Sequence, residues 1–274
     1  MTVEQVAEAL LCSPSKVSRL ETGHRGASAR DIRDLSDLYQ LDPAQREHLT
    51  QLARQTRGQA WWQPYGLGPP YETYVGLETA ATSICDFEPG AFPGLLQTPD
   101  YARVVHEQTM SKLSPAVIEE RIEVLLVRQS ALTREEPAPP KLDVIIDEAV
   151  LHRAVGGPEV MSAQIGRVIE ACELPNVTVR VLPFAAGAHP ALDSTFILLE
   201  FEDPVPGIVY VEGLVGQLFL ERPQDVQRYR QVFERLRTTS LDEQKSLDLM
   251  SSMRSVHQKA EKTSKSHLGL AFRS

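Results

Sequence analysis

Apolar residues recur at helical spacing along the first sixty positions. Val6 and Leu10 share a face with small Ala7 beside them, and Thr2 with Gln5 three residues on has the form of a capping box. A second helix follows a tight turn at Leu11-Cys12. Ser13 suits its N-cap, Pro14 its first position, and Gly23 can end it at positive φ. Val17 and Leu20, three apart, pack inward, which leaves Ser15, Lys16, Ser18 and Arg19 pointing elsewhere. Ser28 with Asp31 opens a third helix carrying Ile32, Leu35, Leu38 and Tyr39. Asp42-Pro43 opens a fourth with Leu49, Leu52 and Ala53.

Further on, Leu77 to Phe87 reads as a helix, and 88–98 as a turn-rich segment. Thr98-Pro99 and Ser114-Pro115 each open another helix. The outer face of the long second one carries Glu119, Glu120, Arg121, Glu123 and Arg128, the pattern of a solvated stripe. The period then changes. Residues 142–146, 177–182, 196–201 and 208–212 read as strands, with 218–220 as one more, and a helix spans Val160 to Cys172. Strand, helix, strand between 142 and 182 implies a crossover to a parallel neighbour. Pro223 to Leu236 closes with a helix. The fold class is therefore α+β: an N-terminal helix-turn-helix bundle, then a mixed α/β domain with a small sheet.

The expected divisions are a helical domain over 1–58, an aromatic and Pro/Gly linker over 59–73 and an α+β domain over 74–240. A terminal helix and a disordered basic tail fill 241–274, where residues 245–274 hold six bases against two acids. The tail reads either as inert or as a brush for phosphates. Trp61-Trp62, with Tyr65 and Tyr71, are expected to dock on a neighbouring surface; base stacking would need basic neighbours, which this run lacks.

Charge at first argues against nucleic acid, because the chain carries a net −9. Residues 1–58, however, hold eight bases and eight acids, so the whole excess lies downstream. Lys16, Arg19 and Arg25 form a thin local cluster that would need dimerisation for useful affinity. No apolar run is long enough for a membrane span and no secretion signal opens the chain, so a cytoplasmic protein without a membrane is expected. Cys12, Cys85 and Cys172 are far apart and form no CxxC pair, which fits a reducing compartment and no zinc.

A capped amphipathic helix has an ordinary reading as surface. The preceding helix and tight turn make it a helix-turn-helix, whose second helix enters the major groove. The run Thr2…Gln5-Val6-Ala7…Ser13-Pro14-Ser15-Lys16-Val17-Ser18-Arg19-Leu20-Glu21-Thr22-Gly23 resembles the Cro/repressor or xenobiotic-response-element type of helix-turn-helix. That resemblance implies DNA contacts from Ser13, Pro14, Ser15, Lys16, Ser18 and Arg19; Thr2 and Arg25 complete the candidate set. Two departures stand out. Leu11 occupies the turn where the family carries glycine. The family also begins with a helix before Thr2, whose arginine pairs with the glutamate matching Glu21; that helix is missing from these residues, so either the protein starts upstream of Met1 or the domain is damaged.

Chemistry in the second domain is sparse. Asp147, Glu148 and His152 after a strand are the best catalytic candidates, set against the plainer reading of a helix cap with surface pairs. No HExxH, GxSxG or GxxxxGK[ST] run occurs, and His189 has no second metal ligand at useful spacing. The expectation is a binding module with no catalytic residues, no metal and no cofactor.

A second resemblance covers Trp61-Trp62, Leu77-Glu78, Pro93-Gly94-Leu95-Leu96-Gln97-Thr98, Tyr101-Ala102-Arg103 and Asp147-Glu148. It continues through Gly156-Gly157, Val181-Leu182-Pro183-Phe184, Gly187, Phe196, Tyr210-Val211-Glu212 and Phe233. It is similar to the actinobacterial antitoxin-like regulators of the WhiJ type, from Thr2 to about Leu249. The resemblance implies a transcription factor with a C-terminal domain of poorly known role, often encoded beside a small partner protein that it binds; the thin basic cluster adds the expectation of a homodimer on a short inverted-repeat operator. A ligand-sensing second domain is the alternative. Glu78, Gln97, Arg103 and Glu212, polar residues beside apolar ones, suit either a buried network or a partner surface.

Overall fold

A computed structural model describes residues 1–21, 27–55, 60–109, 113–213 and 216–271, and the chain divides into two compact units, Met1–Pro64 and Tyr65–Ser274. Gly23 and Arg25 lie outside the described residues.

The first unit contains helices α1 (Val3–Ala9), α2 (Pro14–Glu21), α3 (Ala29–Leu38) and α4 (Pro43–Gln55). Its core holds Val6, Ala7 and Val17, with Val3, Leu10, Cys12, Leu35 and Leu38 packed around them. Each start is set locally. Thr2 and Gln5 cap α1 reciprocally, and Ser28 and Asp31 do the same for α3. The ends are also alike. Leu11, at φ +50°, stands just past α1; its N–H donates to the Glu8 carbonyl and that of Cys12 to the Ala7 carbonyl. Gln40, at φ +54°, repeats the device after α3, with bonds to Asp37 and Ser36. Both are left-handed Schellman closures of the kind that glycine usually supplies.

The second unit is built on one mixed sheet of order β3-β2-β1-β4-β5-β6. Its strands are β1 (Ser83–Glu88), β2 (Lys141–Asp147), β3 (Val177–Leu182), β4 (Phe196–Glu200), β5 (Ile208–Gly213) and β6 (Gly216–Leu220). β1, β2 and β3 run parallel, and β4 to β6 continue antiparallel from β1. The helices are α5 (Pro69–Ala80), α6 (Pro99–Thr109), α7 (Pro115–Ser130), α8 (Glu148–His152), α9 (Pro158–Ala171), α10 (Pro223–Thr239) and α11 (Glu243–Ala271). One sheet face presents Ile84, Leu142, Val144, Ile146, Val177 and Val179 to a core shared with α9 and α11. The other presents Phe87, Ile145, Leu182, Phe196, Leu198 and Val209 to Val226, Phe233 and Leu236 of α10.

Three expectations are corrected here. The stretch 77–87 is not one helix: α5 stops at Ala80 and β1 begins at Ser83, in the middle of the sheet. A strand covered on both faces has no alternation to betray it. The supposed linker already contains a short 3-10 turn at Gln63–Tyr65 and the start of α5, where Pro69 and Pro70 occupy the first two helical positions. The tail does not end in disorder after Met253, because α11 runs on to Ala271. Met250 of that helix is fully buried, and the His257 Nε2–H donates to the Leu151 carbonyl at 2.9 Å, which anchors the helix to the body.

Candidate functional site

On α2 the side chains sort as their spacing dictates. Val17 is buried and Leu20 half-buried, whereas Ser13, Pro14, Ser15, Ser18 and Arg19 are exposed. Ser13 caps the helix: its carbonyl and its hydroxyl both accept from the Lys16 N–H, at 2.9 and 3.3 Å. Its hydroxyl also lies 3.3 Å from that of Ser15. Arg19 stays on the outside, its Nε–H donating back to the Ser15 carbonyl at 3.1 Å. Thr2 is exposed and engaged in its capping box.

Lys16 behaves differently. Its ammonium meets the Asp31 carboxylate at 2.5 Å, and Asp31 is almost fully buried. The same carboxylate accepts from the Ser28 hydroxyl at 2.6 Å and the Ser28 N–H at 3.0 Å. Burial pushes Asp31 up, but the bonds from Lys16 and Ser28 outweigh it and hold the carboxyl down at about 2. Lys16 therefore fastens α2 to the start of α3.

In the second unit the polar residues singled out from sequence separate. Glu78 is 5% exposed and faces Arg128, which is 8% exposed, through two parallel bonds of 2.7 Å. Tyr71 and Tyr74 hydroxyls lie 3.0 and 3.3 Å from the same guanidinium, and the Tyr74 hydroxyl donates to Glu78 at 2.6 Å. Gln97 is also inward: its amide donates to the Phe92 carbonyl at 2.6 Å. Gln129 donates to the Gly94 and Gln97 carbonyls, and Gln164 clamps the Thr98 N–H and the Leu96 carbonyl. The Pro93–Thr98 motif is thus held by side chains from α7 and α9. Arg103 lies outside this network, bridging Asp100 and Glu119 at the surface.

Glu212 is exposed at the edge of a cleft of about 760 Å³. The floor is the sheet face bearing Glu88, Ile197, Tyr210 and Gln217; α5, α6, α7 and the 91–97 loop form the walls. Tyr71, Tyr74 and Tyr210 line it in a row, with ring centroids 6.2 and 4.3 Å apart. Arg121 and Arg128 enter from α7, so part of the stripe expected to face solvent faces the cleft. The signal was present: 121, 125 and 128 stand at i, i+4 and i+7, on one face with buried Leu125. Arg121 sits 5.2 Å over the Tyr71 ring, and its buried Nε has no partner among the described residues. His106 Nδ1 is buried and unpartnered in the same sense. Burial first, then the charges of Arg121 and Arg128, lower that imidazole and favour its neutral form. Burial and the nearby Glu212 raise Glu88 to about 7. Beneath them Asp86 is buried, and desolvation, then Glu88 and Glu78, drive its carboxyl well above the usual range.

The catalytic candidates are occupied with structure. Asp147 caps α8 through a 2.8 Å bond to the Ala149 N–H. Glu148 accepts the Phe184 N–H at 2.8 Å and lies 3.4 Å from His152. The fold brings His189 within 4.0 Å of Asp147, a juxtaposition that a separation of 42 positions conceals. Among the described residues no group of three or more His, Cys, Asp or Glu is placed to hold a metal, and no helix is long and apolar enough to cross a membrane.

Comparison with known families assigns both units. No curated protein and no solved structure matches the chain. Residues 1–49 match the family described as Helix-turn-helix domain, which makes the chain a helix-turn-helix DNA-binding regulator. Residues 71–252 match a second family over most of the chain. Behind its helix-turn-helix, then, the chain belongs to the family described as Domain of unknown function (DUF5753).

Proposed function

We propose that the chain is a transcriptional regulator that binds an inverted-repeat operator as a homodimer, in the cytoplasm, with α2 in the major groove. The observation that carries this reading is the exposed row of Ser15, Ser18 and Arg19 on a capped helix inside the matched stretch 1–49. Arg19 is the base reader and Ser13, Ser15 and Ser18 take phosphates. Lys16 positions the helix through Asp31. The second unit regulates and does no covalent chemistry, a reading supported by the structural use of Asp147 and Glu148.

The test is a mobility shift with the DNA upstream of the chain's own gene. Arg19→Ala should weaken binding by about 1–3 kcal/mol, roughly 5- to 150-fold. Unchanged affinity removes Arg19 from the readers. Sedimentation of the free chain and of the complex tests the homodimer.

For the second unit, the likeness to antitoxin-like regulators of the WhiJ type supports a small partner protein encoded nearby. Co-purification of the product of the adjacent gene tests this. A second reading, regulation by a small molecule, is favoured by one specific observation: the cleft beside Glu212, which sets charged side chains among aromatic and apolar ones.

A further inference from the structure

The cleft of the second unit has the size of a small-ligand site, about 760 Å³, and its charges are sorted. Arg128 is a cation already satisfied by Glu78, Tyr71 and Tyr74. Arg121 is not: a ring lies under it, and its buried Nε has no partner among the described residues. His106 beside it offers a second unpartnered nitrogen. Glu88 and Glu212 line the same cleft, and burial first, then the facing Glu212, raises Glu88. Phe92, Ile197 and Tyr210 add apolar and aromatic surface to the same lining.

Each simple ligand leaves part of this arrangement unmet. An anion satisfies Arg121 but faces two carboxylates. An organic cation satisfies the carboxylates but leaves the buried Nε of Arg121 without a partner. A metal ion finds no group of three His, Cys, Asp or Glu side chains placed close enough together to hold it among the described residues. A nucleotide brings several phosphate charges to one available guanidinium. We infer that the cleft binds a small zwitterion with an apolar body, an amino acid or short peptide, its carboxylate on Arg121 and His106 and its ammonium on Glu88 and Glu212. This rests on the ligand-sensing reading of the second unit and gives that reading its chemistry.

Calorimetric titration of the full chain without DNA tests it, so the DNA-binding reading does not enter the result. The probes are a panel of dipeptides including Leu-Phe, together with N-acetyl, C-amide and doubly blocked Leu-Phe. The free dipeptide should bind, and each single block should weaken binding at least tenfold. In Arg121→Gln the C-amide should no longer be disfavoured, and Arg121→Lys should restore part of the preference. In Glu212→Gln the penalty of the N-acetyl group should shrink. Melting curves establish that each variant is folded. Equal binding of free and doubly blocked Leu-Phe overturns the zwitterion while leaving a ligand site. Absence of binding by every free dipeptide overturns the inference itself.

Discussion

Glu78 and Arg128, fifty positions apart, close a fork of two 2.7 Å bonds in the interior of the second unit. Burial opposes the charge on Arg128, and the facing carboxylate overcomes it. Removing one member strands the other. Glu78→Gln should therefore destabilise the second unit by about 3–5 kcal/mol, because an uncompensated guanidinium stays buried. Thermal melting reads this; a loss under 1 kcal/mol would show that Tyr71 and Tyr74 alone suffice to hold Arg128.

Leu11 is the residue least suited to its place. Its side chain is 95% exposed and its backbone sits at φ +50°. A leucine there strains against its own carbonyl by roughly 1–2 kcal/mol, and glycine does not. Leu11→Gly should raise the stability of the first unit by about 1 kcal/mol, read by urea titration of α-helical signal. A decrease would mean that the leucine makes a contact absent from this structure.

The Asp31 carboxyl carries a pH signature. Its value falls from an ordinary 3.8 to about 2 on folding. A depressed carboxylate stabilises above its unfolded value and loses that contribution as pH falls between about 4 and about 2. The increment is on the order of 1–2 kcal/mol. Lys16→Met should flatten the stability profile in that window and lower the plateau at neutral pH. Parallel profiles for parent and variant would remove Lys16 from the account.

Gln164 is wholly buried and satisfies two backbone groups of the 93–98 segment, the Thr98 N–H at 2.7 Å and the Leu96 carbonyl at 2.8 Å. Gln164→Leu keeps the volume and orphans both. The expected loss is about 2–4 kcal/mol, with earlier hydrogen exchange at Leu96 to Thr98. Unaltered exchange there would show that the segment is held from elsewhere.

What the sequence made readable follows distance along the chain. Caps at Thr2, Ser13, Ser28, Thr98 and Ser114 act within three or four residues, and all five hold in the structure. The turn at Leu11 was visible for the same reason. Strand β1 was not, because Ile84, Asp86 and Phe87 are all buried, so hydrophobicity does not alternate and a charged residue interrupts the run. The pairings of Lys16 with Asp31, Glu78 with Arg128 and Tyr74 with Tyr210 span loops or whole elements. Nothing local in their letters marks them, so a cleft made of such residues emerges only with the fold. Glu78, Gln97 and Glu212 gave a partial hint, being polar residues embedded in apolar surroundings.

The fastening of Lys16 to Asp31 also bears on how the regulator should answer ionic strength. A lysine whose ammonium already holds a carboxylate has few condensed counterions of the duplex left to displace. Counting basic residues on α2 gives two releasable ions per chain, whereas on that helix the tie to Asp31 leaves only Arg19 to act, a slope shallower by about 0.9 per chain in the log–log salt dependence of affinity. Breaking the tie with Asp31→Asn should steepen that slope even as the helix loses its anchor.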